Sequence, residues 1–597
     1  MIAIPLYCRV NHAFTWKLIK THMTVIVQNI LFPLMCYTDE DEELWSTDPH
    51  EYIRLKFDVF DNYVSPVTAA QTLLHTCCKK RKDMLQKSMG FAIQVLSNAN
   101  SEPRLKDGAL HMVGAVADIL LKKDLYKDQM ENMIVAYVFP QFQSPHGYLR
   151  ARACWVLHHF NEIPFTNDAN LYQGLSYLQN CLLTDADLPV KVEAAISLQE
   201  MISSQDKAQQ IIEPNITQIA LELLKVIRDT ESEDLTNVMQ KIVCIFSEQL
   251  TPIAVQMTEH LAHTLSHVIN SGEDEDSEDK ALTAMGILNT IDSILIMMEE
   301  QKEIMAKLEP IVIQLIVSIF NQEMMELYEE AFTLITTITT NTISPDLWKI
   351  FEMMYQVFNK DGFDYFTDMM PSLHNFVTVD PEAFIANPNH VLATFEMCKS
   401  IMTSDAGEEA ECHSAKLLEC IILQFKGRID QCIPSFIELV VTRMTKEIQS
   451  DDLRTMCLQV IIASLFYNSE LTFQVLDRLQ PPNSNQSLVN HFIDKWIADT
   501  HCFLGLHDRK MCVLGLCTLM ALDNNRRPAA LQEKASQLVP SIILLFEGLK
   551  EAYKSKAENE YESDTDSDAV TDDEEDGDDV EDLDDDEDHI KGKPYCR

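Results

Sequence analysis

The sequence predicts an all-α chain folded as a HEAT-repeat solenoid, a right-handed superhelix of antiparallel helix pairs. Three observations carry that expectation: a recurring motif, a shortage of glycine, and the lack of any run alternating apolar and polar residues. In the motif, small residues accompany an apolar stripe. Leu105-Lys106-Asp107-Gly108-Ala109-Leu110-His111-Met112-Val113 aligns with Leu149-Arg150-Ala151-Arg152-Ala153-Cys154-Trp155-Val156-Leu157 and with Val190-Lys191-Val192-Glu193-Ala194-Ala195-Ile196-Ser197-Leu198. The register continues through 235–243, more loosely 280–288, and 327–335, so successive copies stand 44, 41, 45, 45 and 47 residues apart. That period belongs to HEAT or armadillo arrays. A single unit cannot bury its apolar face alone, so neighbours stack into a solenoid whose extended surface suits large partners better than small ligands.

Only 15 of 597 residues are glycine, well under the average usage of about 7 per cent. A single compact core stops growing at roughly 250–300 residues, whereas an array grows in one dimension. One continuous solenoid over 13–553 is therefore expected, after an unassigned start at 1–12 and before a tail at 554–597.

Helices are expected over 47–61, 65–79, 82–98, 103–122, 125–142, 147–161, 168–183 and 189–204, with the same spacing to about 552. Ser65-Pro66, Ser101-Glu102-Pro103 and Ser344-Pro345 each set a capping hydroxyl ahead of a proline in the first turn, where its missing donor costs nothing. Breaks fall at Ser404-Asp405-Ala406-Gly407 and Gln480-Pro481-Pro482-Asn483-Ser484-Asn485, where glycine or proline interrupts the pattern. The apolar start Met1–Tyr7 is followed by Arg9, His12 and Lys17 and is a poor signal peptide. The apolar run Met23–Tyr37 has 15 residues, short of the roughly 20 that span a bilayer. No membrane insertion is expected.

The 16 cysteines contain no CxxC pair, so zinc and thioredoxin-type sites are unsupported, and free thiols imply a reducing compartment. No metal and no cofactor is expected. Charge is the second strong signal: 93 acidic against 47 basic residues give −46. Such a surface repels nucleic-acid phosphates and attracts basic proteins.

Two segments concentrate the acid. One is the loop Glu273, Asp274, Glu275, Asp276, Ser277, Glu278 and Asp279, between a helix ending near Ile269 and one beginning near Lys280. It reads as a partner-binding acidic loop, against the plainer reading of a solvated connector. The other is the tail, with Asp572, Asp573, Glu574, Glu575 and Asp576, then Asp584, Asp585, Asp586, Glu587 and Asp588. It has too little apolar content to fold and is expected to be disordered. Ser563, Thr565 and Thr571 within it match the short pattern that acidophilic kinases accept.

Catalysis is not expected. His158-His159 and Cys412-His413 are adjacent on helices and point apart, His507-Asp508 reads as a helix-start turn, and no glycine-rich phosphate loop is present. Trp155 occupies an apolar motif position and reads as core.

Several blocks carry a resemblance. His50-Glu51-Tyr52-Ile53-Arg54-Leu55-Lys56-Phe57-Asp58-Val59-Phe60, Gln143–Trp155, Asp361–Pro371, Ala410–Glu419 and Phe503–Cys512 are similar to the importin-7 and importin-8 branch of the importin-β superfamily, in a match running from about residue 13 to 553. The resemblance implies a nuclear import receptor of cytoplasm, nucleus and nuclear pore that wraps basic cargo such as ribosomal proteins or histones. It also implies binding of nucleoporin phenylalanine-glycine repeats, cargo release on binding Ran-GTP, importin-β as a further partner, and a role for the acidic loop in coupling Ran to release. Set against that branch, the chain is expected to start inside the solenoid, without the amino-terminal repeats that supply much of the Ran contact, and to close early at Lys591–Arg597. The alternative is an acidic chaperone or scaffold for basic proteins that works without transport.

Overall fold

In the computed structural model the described residues are 13–57, 65–81, 83–270, 277–479, 487–523 and 527–563, and among them all regular structure is helical. They divide into two compact units, residues up to Ala208 and residues 209–562.

The longer helices of the first unit are α1 (Ala13–Ile26), α2 (Asp39–Thr47), α3 (Pro49–Phe57), α4 (Pro66–Lys80), α5 (Met84–Ser97), α6 (Pro103–Gly114), α7 (Ala117–Lys122), α8 (Asp124–Met133), α9 (Gly147–His159), α10 (Asp168–Thr184) and α11 (Leu188–Ser204). The motif copies fall on α6, α9 and α11, which pack side by side as one row, with α5 and α10 against them. The small motif residues let the row close up. Ser197 Oγ on α11 donates to the Cys154 carbonyl on α9 at 2.8 Å, and a Cβ on Gly114 would collide with the Trp155 ring. Leu110, Met112, Ala153, Cys154, Val156, Leu157, Ala194 and Leu198 are all without exposed surface.

Local chemistry moves several expected boundaries. The single helix over 47–61 is instead α2 and α3, split where Asp48 leaves the helical region at φ −145° before Pro49. Helix α2 starts early because Thr38 and Asp41 form a reciprocal capping box. The helix over 103–122 breaks into α6 and α7 at Ala115–Val116. Ser65 and Ser344 do cap, accepting from the Thr68 and Leu347 amides. Ser101 does not: its hydroxyl donates back to the Val95 carbonyl at 2.7 Å, and Glu102 precedes the helix.

The second unit contains α12 (Ile216–Thr230), α13 (Glu233–Ile245), α14 (Ala254–Asn270), α15 (Ser277–Met298), α16 (Lys302–Asn321), α17 (Tyr328–Thr339), α18 (Pro345–Lys360), α19 (Phe366–Thr378), α20 (Pro388–Thr403), α21 (Glu408–Gln424), α22 (Ile433–Met444), α23 (Asp451–Tyr467), α24 (Ser469–Arg478), α25 (Leu488–Ala498), α26 (Leu506–Ala521) and α27 (Ala535–Ser563). Two rows result: α13, α15, α17, α19, α21, α23 and α26 in one, α12, α14, α16, α18, α20, α22 and α24 in the other. Polar bonds fix the register within the first row. Thr337 Oγ1 on α17 donates to Asp292 on α15 at 2.6 Å, and the Asn375 amide on α19 donates to the Thr336 carbonyl on α17 at 3.1 Å. The stretch Lys280–Met298 is long and apolar enough to cross a membrane. Here Ile287, Leu288, Ile291, Ile294 and Leu295 are fully buried, and α15 packs against α13, α14 and α17, as a core helix does.

Helix α27 runs on to Ser563 rather than ending near 553. Ala557, Glu558 and Glu560 are good helix formers, so the acidic composition alone does not stop a helix already nucleated on packed turns. The tail carboxylates Asp572–Asp576 and Asp584–Asp588 lie outside the described residues.

Candidate partner-binding surface

Of the acidic loop, Glu273, Asp274, Glu275 and Asp276 lie outside the described residues, while Glu278 and Asp279 fall in the first turn of α15. Helix α15 begins at Ser277 and not at Lys280, which shortens the expected connector.

Stacking brings together charges that stand far apart in sequence. In the first unit the third and fourth motif positions line up along the row. Arg152 Nε on α9 donates to Asp107 Oδ1 on α6 at 2.8 Å, and Glu193 on α11 feels the same guanidinium. Helix α3 packs on α11, and Tyr37 stacks on Tyr148 at 4.0 Å, so the segment from Tyr37 to Phe57 lies over this line. Lys56 Nζ on α3 pairs with Asp41 on α2 at 3.0 Å.

Enclosure has an electrostatic cost. Burial pushes the Glu193 carboxyl up from 4.5 to about 7 against the pull of Arg152 and Lys56, and its Oε2 has no hydrogen-bond partner among the described residues. A carboxyl raised on folding favours the protonated folded form. The penalty is absent below about pH 4.5 and complete above about 7. Glu193→Gln is therefore expected to stabilise the first unit by about 1–3 kcal/mol at pH 8, a gain that vanishes at pH 4. Thermal unfolding at both values checks it, and a variant no more stable than the parent at pH 8 refutes the assignment.

The equivalent positions of the second unit carry Glu329 and Glu330 in the first turn of α17, and Asp368 stands in the first turn of its row neighbour α19. A carboxylate in a first turn complements the positive end of the helix dipole, which favours each helix start taken singly. It does not explain their mutual environment. Burial and then Glu329 push the Glu330 and Asp368 carboxyls upward, Asp368 adds to Glu330, and His413 only partly relieves Asp368. Glu330 Oε2, sealed from solvent, has no hydrogen-bond partner among the described residues. Tyr365 beside them is raised by burial and then by Asp368, Glu326, Asp364 and Glu329. This patch repels itself and would gain from a cation.

A groove of about 800 Å³ separates α14 from α16 in the other row, with Ala262, Ile311 and Leu315 as its apolar wall and Glu259, His263, His267 and Gln314 around it. His158 and His159 serve packing: His159 lies 4.0 Å from the Trp155 ring, and burial holds it down at about 3. Asp508 accepts from the Gly505 amide at 3.0 Å, the expected helix start. Its neighbour His507 does more, reaching Glu419 on α21 at 2.9 Å across the intervening α23.

Sequence reading concentrated on contiguous acid and missed Glu329, Glu330 and Asp368. The available signal was the motif alignment itself, because Glu330 stands where Arg152 and Glu193 stand in earlier copies.

Comparison with known proteins decides the kinship. A family model described as importin-11-like TPR repeats matches residues 285–592, and one described as importin-9 central HEAT repeats matches 20–250. The chain belongs to the importin-β superfamily. Row helices of this chain begin at Tyr328, Phe366, Glu408 and Asp451, a spacing nearer HEAT units than the 34 residues or so of TPR. Human importin-8 is 50% identical over 543 residues, which is 91% of this chain and 52% of importin-8, in line with the resemblance to the importin-7 and importin-8 branch. The chain spans about half the length of the curated relatives it matches. Among solved structures, the cargo-free exportin Cse1 superposes with a TM-score of 0.69 at 17% identity, covering 92% of this chain and 59% of Cse1. Kap95p, solved with RanGDP, superposes at 0.58 and 10% identity over 89% of this chain and 63% of its own.

Proposed function

We propose that the chain works as a nuclear import receptor. It carries basic protein cargo on the carboxylates of the second unit, passes the pore by docking on nucleoporin phenylalanine-glycine repeats, and yields cargo to Ran-GTP, moving between cytoplasm and nucleus. It does so by binding alone, without catalysis. The observation that carries this reading is the self-repelling set Glu329, Glu330 and Asp368 on adjacent row helices. Lysine and arginine side chains of a histone or ribosomal protein would relieve that repulsion. The groove walled by Ala262, Ile311 and Leu315 suits a phenylalanine side chain and supports the nucleoporin part. Kinship with importin-8, and the RanGDP complex of Kap95p, support the Ran part.

The test is histone binding to the full chain and to the E329Q/E330Q/D368N variant. The variant should bind about tenfold more weakly at low ionic strength, with the difference shrinking near 0.15 M salt, where charges are screened beyond about 8 Å. Equal affinities at low salt would remove these carboxylates from the cargo surface. Retention on immobilised phenylalanine-glycine repeats separates a transport receptor from an acidic chaperone, because a chaperone has no need to enter the pore.

A further inference from the structure

Eight of the chain's 47 basic residues lie in two short stretches of the first unit: Lys79, Lys80, Arg81, Lys82 and Lys87 around the α4–α5 turn, and Lys122, Lys123 and Lys127 around the α7–α8 turn. The same stretches contain only Asp83 and Asp124 as acids. In a chain with about twice as many acidic as basic residues, this inversion is not a sample of the average surface.

The fold brings the two stretches together. His111 Nε2 on α6 lies 3.4 Å from the Gln71 side chain on α4, and further along His75 Nε2 on α4 lies 2.9 Å from Asp118 on α7. Both links run in the same direction, so α4 is parallel to α6 and α7, and their carboxy-terminal ends finish side by side. Lys79 and Lys80 therefore stand next to Lys122 and Lys123. Lys123 is close enough to Cys78 to oppose the upward push that burial gives its thiol. Asp118, the carboxylate on α7, is engaged by His75. Lys79, Lys80, Lys87, Lys122, Lys123 and Lys127 are all exposed, and they make no ion pair among the described residues.

Compensation of helix dipoles accounts for part of this face, since lysines favour carboxy-terminal turns. It fails for Lys87 and Lys127. These occupy the first turns of α5 and α8, where the dipole disfavours a cation. Asp83 and Asp124, one turn before Lys87 and Lys127, offset only two of the eight basic residues, and the sequence contains a larger anion: Ala557–Asp588 holds 20 acidic residues and no lysine or arginine. Few apolar residues accompany them, so the segment can find partners chiefly through charge.

We propose that the lysine face of Lys79, Lys80, Lys87, Lys122, Lys123 and Lys127 is the docking surface for the acidic carboxy-terminal segment of this protein, centred on Asp572–Asp576 and Asp584–Asp588. The lysine face then offsets part of the charge of the acidic segment, and the docked segment is withheld from basic partners until they compete for it.

A carbodiimide that joins lysine to carboxylate without a spacer tests this on the full chain, with the links mapped by mass spectrometry. Links from residues 572–588 should concentrate on the six lysines and fade as salt is raised. In the K79Q/K80Q/K122Q/K123Q variant, the links to the retained Lys87 and Lys127 should fall about tenfold, since the field that holds the segment is lost. Variant K302Q/K307Q, on α16, should leave them unchanged, and circular dichroism should show both variants folded. Links spread evenly over the lysines of the chain, or undiminished links to Lys87 and Lys127 in the fourfold variant, would overturn the proposal. So would protection of the six lysines by added polyphosphate or RNA with no links to the segment in its absence, which would make the face a nucleic-acid or polyphosphate surface.

Discussion

Arg443→Ala is expected to destabilise the second unit by about 3–5 kcal/mol, the usual cost of stranding one partner of a buried pair. Arg443 on α22 is 8% exposed and donates from Nε to Glu411 Oε1 on α21 at 2.7 Å, with Glu411 itself 6% exposed. Its Nη1 donates to the Glu447 carbonyl at 3.1 Å, and Nη2 lies 3.6 Å from Glu408, whose carboxylate accepts the Gln449 and Ser450 amides leading into α23. One guanidinium thus ties α21, α22 and the start of α23. Removing it leaves the Glu411 carboxylate enclosed and uncompensated, whereas removing both charges as R443M/E411M should restore most of the stability. Denaturant unfolding followed on the second unit would measure both. A single-variant loss below about 1 kcal/mol, the range of an exposed pair, would mean that the pair is solvated in solution.

Trp496→Ala should cost about 3–5 kcal/mol as well, through a different mechanism. Trp496 on α25 has no exposed surface, its indole N–H donates to Cys512 Sγ on α26 at 3.0 Å, and its ring fills the space that a side chain at Gly515 would need. Truncation opens a cavity at a helix–helix contact that can collapse only if α25 and α26 shift. Trp496→Phe should recover much of the loss by refilling volume, while G515V in the parent should also destabilise, because valine would compete with the indole for one space. A Trp496→Ala variant with unchanged unfolding would place this contact outside the cooperative core.

Stability and the partner surface draw on the same architecture with opposite treatment of charge. Where carboxylates are enclosed, as at Glu411 and Asp107, a guanidinium from the neighbouring helix meets them. At Glu329, which is exposed, and at the half-buried Glu330 and Asp368, no ion pair forms among the described residues, and His413 relieves Asp368 only in part. The first arrangement holds repeats together. The second is the set proposed above as the surface for basic cargo.

The sequence alone determined the helical class, the repeat length and the residues through which repeats stack, because each depends on periods local to one or two helices. Gly108, Ala153, Cys154 and Ser197 stand among the small residues of the repeating motif, and Ser65 and Ser344 announced helix starts. The acidic balance likewise followed from composition. Only the tertiary structure decided which charges meet. Glu330 and Asp368 stand on different helices, His507 reaches Glu419 over a whole intervening helix, and α3 packs on α11 although well over a hundred residues separate them. The same gap explains why Lys79 and Lys122 became one face only when Gln71 and His75 set α4 parallel to α6 and α7. Hydrophobic period is written along the chain, but electrostatic energy depends on distance in space, and that distance is set by how the repeats stack.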